Sequence, residues 1–216
     1  GLCPSPMLYY ARERLNCDGA IMITGSHNPP NYNGFKILTK KGSCFGKQLI
    51  KLSKKQFSIN QKKQGSIRDY NIIPPYLNEL INAEENIKKT IKVVWDPGNG
   101  ATCDILKKLV MLLPGKHHIL NSNIDGTFPS HQPDPTDEKN LIQLKRRVIK
   151  SKADIGIAFD GDGDRIGIVS SNAKFIPGDQ LLLVFAKEVL YENKNSVIIS
   201  DVKASNILFE KIKKLG

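Results

Sequence analysis

The sequence of 216 residues lacks any uncharged apolar run close to the about 18 residues that a transmembrane helix needs, so no membrane span is predicted. Its four cysteines form no C-x-x-C pair, so neither a zinc site nor a disulfide framework is indicated. This cysteine usage favours a reducing, cytoplasmic setting. With 17 glycines and 12 prolines, the composition also excludes a collagen-like or low-complexity chain. These exclusions leave a globular protein with its own hydrophobic core as the expected class.

Acidic residues are fewer than basic ones, and one long stretch of the chain has none. From Lys36 to Arg68 there are ten Lys or Arg and no Asp or Glu, which nearly accounts for the net charge of +11. Such an excess suits a nucleic acid, an acidic membrane or an anionic small substrate. Because the stretch has few aromatic side chains, it is a poor stacking platform for single strands. A solvated basic face is the favoured interpretation, and substrate steering and nucleic-acid binding stay open.

Strands alternate with helices along most of the chain, which predicts an α/β fold with mixed, mainly parallel sheets and flanking helices. A polar linker before residue 71 and the order of the predicted elements place boundaries near residues 71 and 174, which predicts three domains, over 1–71, 72–174 and 175–216. The chain begins with Gly1 and stops directly after a predicted helix, so we expect an interior piece of a longer protein. The predicted strands cover 20–23, 35–38, 92–95, 118–120, 154–159, 166–169 and 197–200. The predicted helices cover 5–16, 46–56, 74–87, a segment ending near 112, 138–150, 178–191 and 204–214.

The most informative stretch carries three carboxylates at alternate positions, Asp160, Asp162 and Asp164, separated by Gly161 and Gly163. In an extended loop, alternate side chains fall on one side, and glycine permits the tight backbone that makes them converge. Three anions about 4 Å apart repel by about 4 kcal/mol per pair at an effective dielectric constant of about 20. A divalent cation removes that cost, and all-oxygen ligands favour Mg²⁺, Ca²⁺ or Mn²⁺.

The spacing of residues in the acidic loop excludes one calcium motif and leaves two alternatives open. An EF-hand needs Gly at loop position 6 and Glu at position 12, where this chain has Arg165 and Ser171. An Asp/Gly turn without a metal remains open. A second enzyme class, an aspartyl-phosphate phosphatase acting through Asp160 or Asp162, also remains open, although the Thr expected after an Asp-x-Asp pair is absent.

A second polar loop, residues 24–30, follows the predicted strand 20–23. Its Ser26 is a candidate nucleophile or phosphate carrier, and His27 and Asn28 can donate hydrogen bonds to oxyanions. By spacing alone the loop also fits a plain turn with a capping serine. A Ser-His-Asp hydrolase is disfavoured because the chain has no G-x-S-x-G elbow.

Residues 24–36, with the sequence TGSHNPPNYNGFK, resemble the active-site serine loop of the α-D-phosphohexomutase family, and most closely its bacterial phosphomannomutase/phosphoglucomutase branch. Residues 160–165 resemble the Mg²⁺ loop of the same family, and 96–101, 126–135 and 201–203 match further family stretches. The resemblance implies part of a four-domain enzyme. Residues 1–71 would be the end of domain 1 with the phosphoserine loop, 72–174 domain 2 with the metal loop, and 175–216 the start of domain 3.

The resemblance also implies an activity, that of an isomerase interconverting hexose 1-phosphate and hexose 6-phosphate, with mannose or glucose as the sugar. The reaction would pass through phosphoserine at Ser26, with glucose 1,6-bisphosphate as intermediate and activator. Mg²⁺ would be held by Asp160, Asp162, Asp164 and an oxygen of phosphorylated Ser26. No nucleic-acid or membrane partner is expected, the protein is expected to be a monomer, and residues 1–216 alone are expected to show little or no mutase activity.

Four further residues receive roles from the same resemblance. Arg165 would contact phosphoryl oxygens or position the serine loop, and His27 and Lys203 would contact the substrate. Lys36 would be the general acid/base at the sugar hydroxyl, and its cationic surroundings are expected to lower its pKa. The alternatives are a surface lysine for Lys36, a loop brace for His27 and a surface ion pair for Lys203.

Overall fold

The structure is a computed structural model that describes residues 1–55, 65–82 and 90–215. Its helices are α1 (Ser5–Arg14), α2 (Lys47–Ser53), α3 (Ile73–Asn82), α4 (Cys103–Val110), a 3-10 turn (Glu138–Leu141) that leads into α5 (Ile142–Ser151), α6 (Gly178–Glu192) and α7 (Asn206–Leu215). Its strands are β1 (Gly19–Ile23), β2 (Phe35–Thr39), β3 (Gly42–Cys44), β4 (Lys92–Asp96), β5 (Lys116–Ile119), β6 (Ile155–Phe159), β7 (Ile166–Ser170) and β8 (Phe175–Ile176).

A small antiparallel sheet forms the first part of the fold, with the order β1-β2-β3. Ile21 of β1 lies opposite Ile37 of β2, and Met22 lies opposite Lys36. Helix α1 packs against β1. Residues 24–34 connect β1 to β2, so the predicted serine loop projects from one end of this hairpin.

A five-stranded mixed sheet forms the second part, with the order β5-β4-β6-β7-β8. Strand β4 is parallel to both β5 and β6, whereas β6-β7 and β7-β8 are antiparallel pairs. The α/β class with mixed sheets and flanking helices is therefore confirmed, and β7 is the predicted hairpin partner of β6. Because β4 and β6 are parallel, the loops that follow them emerge at the same edge of the sheet, where α/β folds bind ligands.

Helix α5 covers β4 and β6, and the core lies between them. Leu144 and Val148 from α5 are fully buried against Val94 and Val169 of the sheet. The helix approaches closely because the second residue of β6 is a glycine, Gly156. A Cβ atom at Gly156 would lie 2.7 Å from Val148 Cγ2 and 2.9 Å from Leu144 Cδ1.

We expect Gly156→Val to destabilise the protein because the added side chain overpacks this contact. Overpacking a filled core costs about 1–3 kcal/mol in the free energy of unfolding. Urea denaturation measures this loss. The matched control is Gly126→Val, since a Cβ at Gly126 meets nothing within 4 Å in the described part of the chain. Equal stabilities of the two variants would contradict this account of the core.

Most predicted elements are present, and the exceptions are short or unpaired. The strand predicted over 197–200 is wrong, because the segment has no neighbouring strand in the described residues and Val197 and Ile199 are 85% and 84% exposed. Strands β3 and β8, of three and two residues, were not predicted. Residue 56 of one predicted helix and 83–87 of another lie outside the described residues. None of the helices in the described part combines the length and apolar character of a membrane span.

Candidate active site and metal centre

The serine loop holds Ser26 in a strained conformation at the end of the β1-β2 hairpin. Ser26 has φ of +53°, which is uncommon for a residue other than glycine. The turn is fixed from both sides, because the Ser26 amide donates to Thr24 Oγ1 at 2.8 Å and the Thr24 amide donates to the Gly34 carbonyl at 3.0 Å. Such strain is commonly found at functional sites.

The acidic loop follows β6 and closes on its own backbone. One carboxylate oxygen of Asp160, Oδ1, accepts the amides of Asp164 and Arg165 at 3.0 Å each. Gly163, with φ of +74°, allows the backbone to turn so that these two amides point back at Asp160. One oxygen from each of Asp160, Asp162 and Asp164 lies within 4.8 Å of the other two, which is close enough for a shared cation. The predicted convergence of the three carboxylates is therefore observed.

The two loops meet directly. Ser26 Oγ donates to Asp160 Oδ2 at 2.9 Å and to Asp162 Oδ1 at 3.0 Å, although the chain separates these residues by 134 and 136 positions. Glycine at position 161 permits this approach, because a Cβ there would lie 2.3 Å from the Ser26 carbonyl oxygen. A cleft of about 390 Å³ opens beside Ser26 and Asp162, so the site is accessible from outside.

Lys36 belongs to the same cluster, since β2 brings its ammonium to the acidic loop. Its Nζ donates to Asp164 Oδ2 at 2.6 Å, contacts Asp162 Oδ2, and lies 3.3 Å from Ser5 Oγ. Burial lowers the pKa of Lys36, but the hydrogen bonds and charges of Asp162 and Asp164 outweigh burial and raise the pKa above its ordinary value. In the protein without a metal, the expectation of a lowered pKa is therefore wrong, because the ammonium forms hydrogen bonds with the carboxylates of Asp162 and Asp164.

The carboxylates of Asp160 and Asp162 differ in their affinity for a proton. Burial raises the pKa of Asp160 to about 6, and the charges of Asp162 and Asp164 act in the same direction. Burial also acts to raise the pKa of Asp162, but the hydrogen bonds from Lys36 and Ser5 outweigh it and hold that pKa below its usual range. A hydrogen bond of 2.5 Å from Ser5 Oγ to Asp162 Oδ2 contributes to this difference.

Cation binding should weaken as the solution becomes acidic, because the cation and a proton compete for Asp160. The pKa of Asp160 is raised in the fold, so its ionisation in the metal-free protein costs stability as the pH rises from the ordinary value of 3.8 through about 6. A bound cation stabilises the ionised form of Asp160, so that cation binding releases the proton from this carboxyl group. We expect the affinity for Mg²⁺ to be about tenfold weaker at about pH 5 than at about pH 7. Calorimetry at both pH values measures it, and equal affinities would contradict the assignment.

His27 and Arg165 lie together beside Ser26. Arg165 Nη1 is 3.4 Å from His27 Nε2, and His27 Nδ1 is 3.4 Å from Ser26 Oγ. The backbone of His27 is held by the loop that follows β5, since Gln132 Nε2 donates to its carbonyl at 3.0 Å. Donors on both residues are therefore available to an anion next to the serine hydroxyl.

Not every predicted residue reaches this cluster. Lys203 is exposed, and in the described part of the chain its side chain makes neither a hydrogen bond nor an ion pair, although its amide donates to Asp201 Oδ1 at 2.8 Å. Two contributors, Ser5 and Gln132, were missed as site residues. Nothing in the sequence indicated Ser5, which begins helix α1, whereas Gln132 lies inside the family stretch 126–135.

Two family models match the chain, and together they cover most of it. Residues 1–63 match phosphoglucomutase/phosphomannomutase alpha/beta/alpha domain I, and residues 74–173 match alpha/beta/alpha domain II. The chain belongs to the phosphoglucomutase/phosphomannomutase family. The resemblance of the serine and acidic loops to the α-D-phosphohexomutases is thereby confirmed.

Individual relatives agree with the family assignment. The chain is 39% identical to a phosphomannomutase/phosphoglucomutase of Pseudomonas aeruginosa and 37% identical to a phosphoglucomutase of Neisseria meningitidis. Both matches cover 100% of this chain and 47% of the relative. A crystal structure of a family protein from Burkholderia thailandensis is similar with a TM-score of 0.86 and 32% identity, over 100% of this chain and 49% of that one. The chain thus spans about half the length of the relatives it matches.

Proposed function

We propose that the full-length protein is a phosphohexomutase, an isomerase that interconverts hexose 1-phosphate and hexose 6-phosphate. Ser26 carries the phosphoryl group, and a 1,6-bisphosphate of glucose or mannose turns over in the site as intermediate. The observation that carries this proposal is the position of Ser26 Oγ, within 3.0 Å of carboxylate oxygens of Asp160 and Asp162. Family membership supports it and favours it over the aspartyl-phosphate phosphatase and the nucleic-acid-binding domain.

Mg²⁺ is the proposed cofactor, with Asp160, Asp162, Asp164 and an oxygen of phosphorylated Ser26 as its ligands. The donor set supports this choice, because it consists of oxygen atoms, which hard divalent cations prefer. The carboxylate oxygens also lie within 4.8 Å of one another, as the ligands of one ion do. When bound, the cation would neutralise charge that develops on the transferred phosphoryl group.

The chain's own residues divide the remaining work of phosphoryl transfer. We assign proton exchange with the sugar hydroxyl to Lys36, whose resting form is the ammonium because its pKa is raised by Asp162 and Asp164 against the effect of burial. Arg165 and His27 would hold the phosphoryl oxygens beside Ser26, since His27 Nδ1 lies 3.4 Å from Ser26 Oγ and Arg165 Nη1 lies 3.4 Å from His27 Nε2. Lys203 is proposed as a substrate contact from the family resemblance alone.

The other properties of the protein are proposals of the same kind. We propose three domains over 1–71, 72–174 and 175–216, a monomer, a cytoplasmic location, and no nucleic-acid or membrane partner. Glucose 1,6-bisphosphate would activate the enzyme by phosphorylating Ser26. Residues 1–216 alone would have little activity, because they span about half of the relatives' length.

An assay of the full-length protein tests the function. The protein is incubated with Mg²⁺, a trace of glucose 1,6-bisphosphate and either glucose 1-phosphate or mannose 1-phosphate. The proposal predicts the corresponding 6-phosphate with no release of inorganic phosphate. Release of phosphate without isomer would indicate a phosphatase and contradict the proposal.

A further inference from the structure

A cleft of about 270 Å³ lies at the amino-terminal ends of the parallel strands, whereas the acidic loop lies at their carboxyl ends. It is lined at the amino-terminal ends of β4 and β5, where Lys92 pairs with Lys116, while the acidic loop follows the carboxyl end of β6. Strand β4 separates these ends by about 13 Å at 3.3 Å per residue. The cleft is therefore distinct from the proposed active site.

The strand register and helix α5 direct basic side chains into this cleft. Lys92 and Val94 of β4 lie opposite Lys116 and His118 of β5, and alternate residues of a strand share one face. The same face is covered by α5, because the guanidinium of Arg147 contacts His118 Nε2 and the ammonium of Lys92 contacts the Ser151 carbonyl. The basic cleft is the name used below for the cavity lined by Lys92, Lys116, His118, Arg147 and Ser151.

Among the described residues, the cations of the basic cleft have no negative partners. In these ranges of the chain, neither Lys92, Lys116 nor Arg147 forms an ion pair, and no carboxylate lines the cavity. Arg147 Nε and Ser151 Oγ are buried, and the described part of the chain offers neither of them a hydrogen-bond partner. Burial and the charges of Arg147 and Lys92 lower the pKa of His118, which agrees with a positive potential there.

We propose that the basic cleft binds a phosphate group, either inorganic phosphate or the phosphate of a small phosphorylated metabolite. A dianion would supply the negatively charged acceptors that Lys92, Lys116 and Arg147 lack among the described residues, and charge-assisted hydrogen bonds of this kind are strong. The cavity is smaller than the about 300–1,000 Å³ of sites for drug-sized ligands, which favours a small ligand over a polymer. Since the basic cleft shares no residue with the phosphoserine site, this proposal does not rest on the proposed function.

Amide NMR titrations of the protein test the proposal, in low-salt buffer with EDTA so that no metal-bound phosphate contributes. Inorganic phosphate is one probe and glucose 1-phosphate the other, which separates the two sources of the phosphate group. We expect saturable shifts at residues 116–118 and 147–151. Unsaturable shifts with both probes, or tighter competition at these residues by a single-stranded RNA, would overturn the proposal.

Charge-removing variants sharpen the test. We expect Lys92→Gln combined with Arg147→Gln to weaken phosphate binding by about tenfold or more, as loss of charged hydrogen bonds does. Lys116→Gln, at an exposed position, removes one cation without disturbing the core and should weaken binding severalfold. The matched control is Arg146→Gln, the exposed neighbour of Arg147 on α5. Equal weakening by the control, or none in Lys116→Gln, would contradict a built site.

Discussion

Replacing Ser26 by alanine should abolish phosphorylation of the protein and reduce mutase activity of the full-length enzyme by at least about 10³-fold, as loss of a nucleophile does. The reason is that Ser26 Oγ is the hydroxyl placed against the acidic cluster, 2.9 Å from Asp160 Oδ2 and 3.0 Å from Asp162 Oδ1. Intact-mass spectrometry after incubation with glucose 1,6-bisphosphate measures the phosphate, and a coupled assay measures the isomerase activity.

The matched control for that variant is Ser43→Ala, an exposed serine in the same small sheet. It should keep both the phosphate and the activity. A Ser26→Ala protein that still accepts one phosphate would identify a different carrier. If that phosphate were acid-labile and lost on substitution of Asp160 or Asp162, the phosphatase alternative would regain support.

Asp162→Asn should have the second large effect, on cation binding. Asp162 accepts hydrogen bonds from Ser5, Ser26 and Lys36 through its two oxygens, and one of them belongs to the oxygen cluster. Loss of one charged ligand should weaken Mg²⁺ binding at least about tenfold, the lower range measured for outer-shell partners alone. Thermal unfolding with and without Mg²⁺ measures this, because a ligand that binds only the folded state raises Tm in a concentration-dependent way.

The effect of Mg²⁺ on the Tm of this variant distinguishes a metal site from a cluster that has only a structural role. In EDTA, Asp162→Asn should lower Tm, because the depressed pKa of Asp162 means that Lys36 and Ser5 stabilise its ionised form in the folded state. The rise of Tm on adding Mg²⁺ should largely disappear. Asp104→Asn, an exposed carboxylate on α4, is the control and should retain that rise. An equal Mg²⁺-induced rise in both variants would contradict the ligand assignment.

Each of the two loops can be recognised from local features of the sequence, whereas their meeting is expected only from the family resemblance. Alternation of Asp and Gly over 160–164 makes the carboxylates converge, and the apolar run 155–159 marks the strand whose carboxyl end bears them. The serine loop is recognisable because it directly follows a short apolar strand that ends at Ile23. The Asp/Gly alternation and the apolar strand before the serine loop are both local patterns, so they can be read from the sequence without knowledge of the fold.

Properties that depend on long-range contacts could not be predicted in the same way. The pKa of Lys36 was expected from its neighbours in sequence, but its partners Asp162 and Asp164 lie 126 and 128 positions away. The role of Ser5 depends on how α1 docks against the acidic loop, where its amide also donates to the Asp162 carbonyl at 2.8 Å. Residues 197–200 have strand propensity without a partner strand among the described residues, and propensity alone does not form a sheet.

An anomalous difference map from crystals grown with Mn²⁺ tests the central claim most directly, because Mn²⁺ accepts the same oxygen ligands as Mg²⁺. The account predicts one strong peak about 2 Å from an oxygen of Asp160, Asp162, Asp164 and the side chain of Ser26 or its phosphate. A fully ordered acidic loop with no peak, or a peak that excludes Ser26, would contradict the claim that the serine and the three carboxylates share one cation.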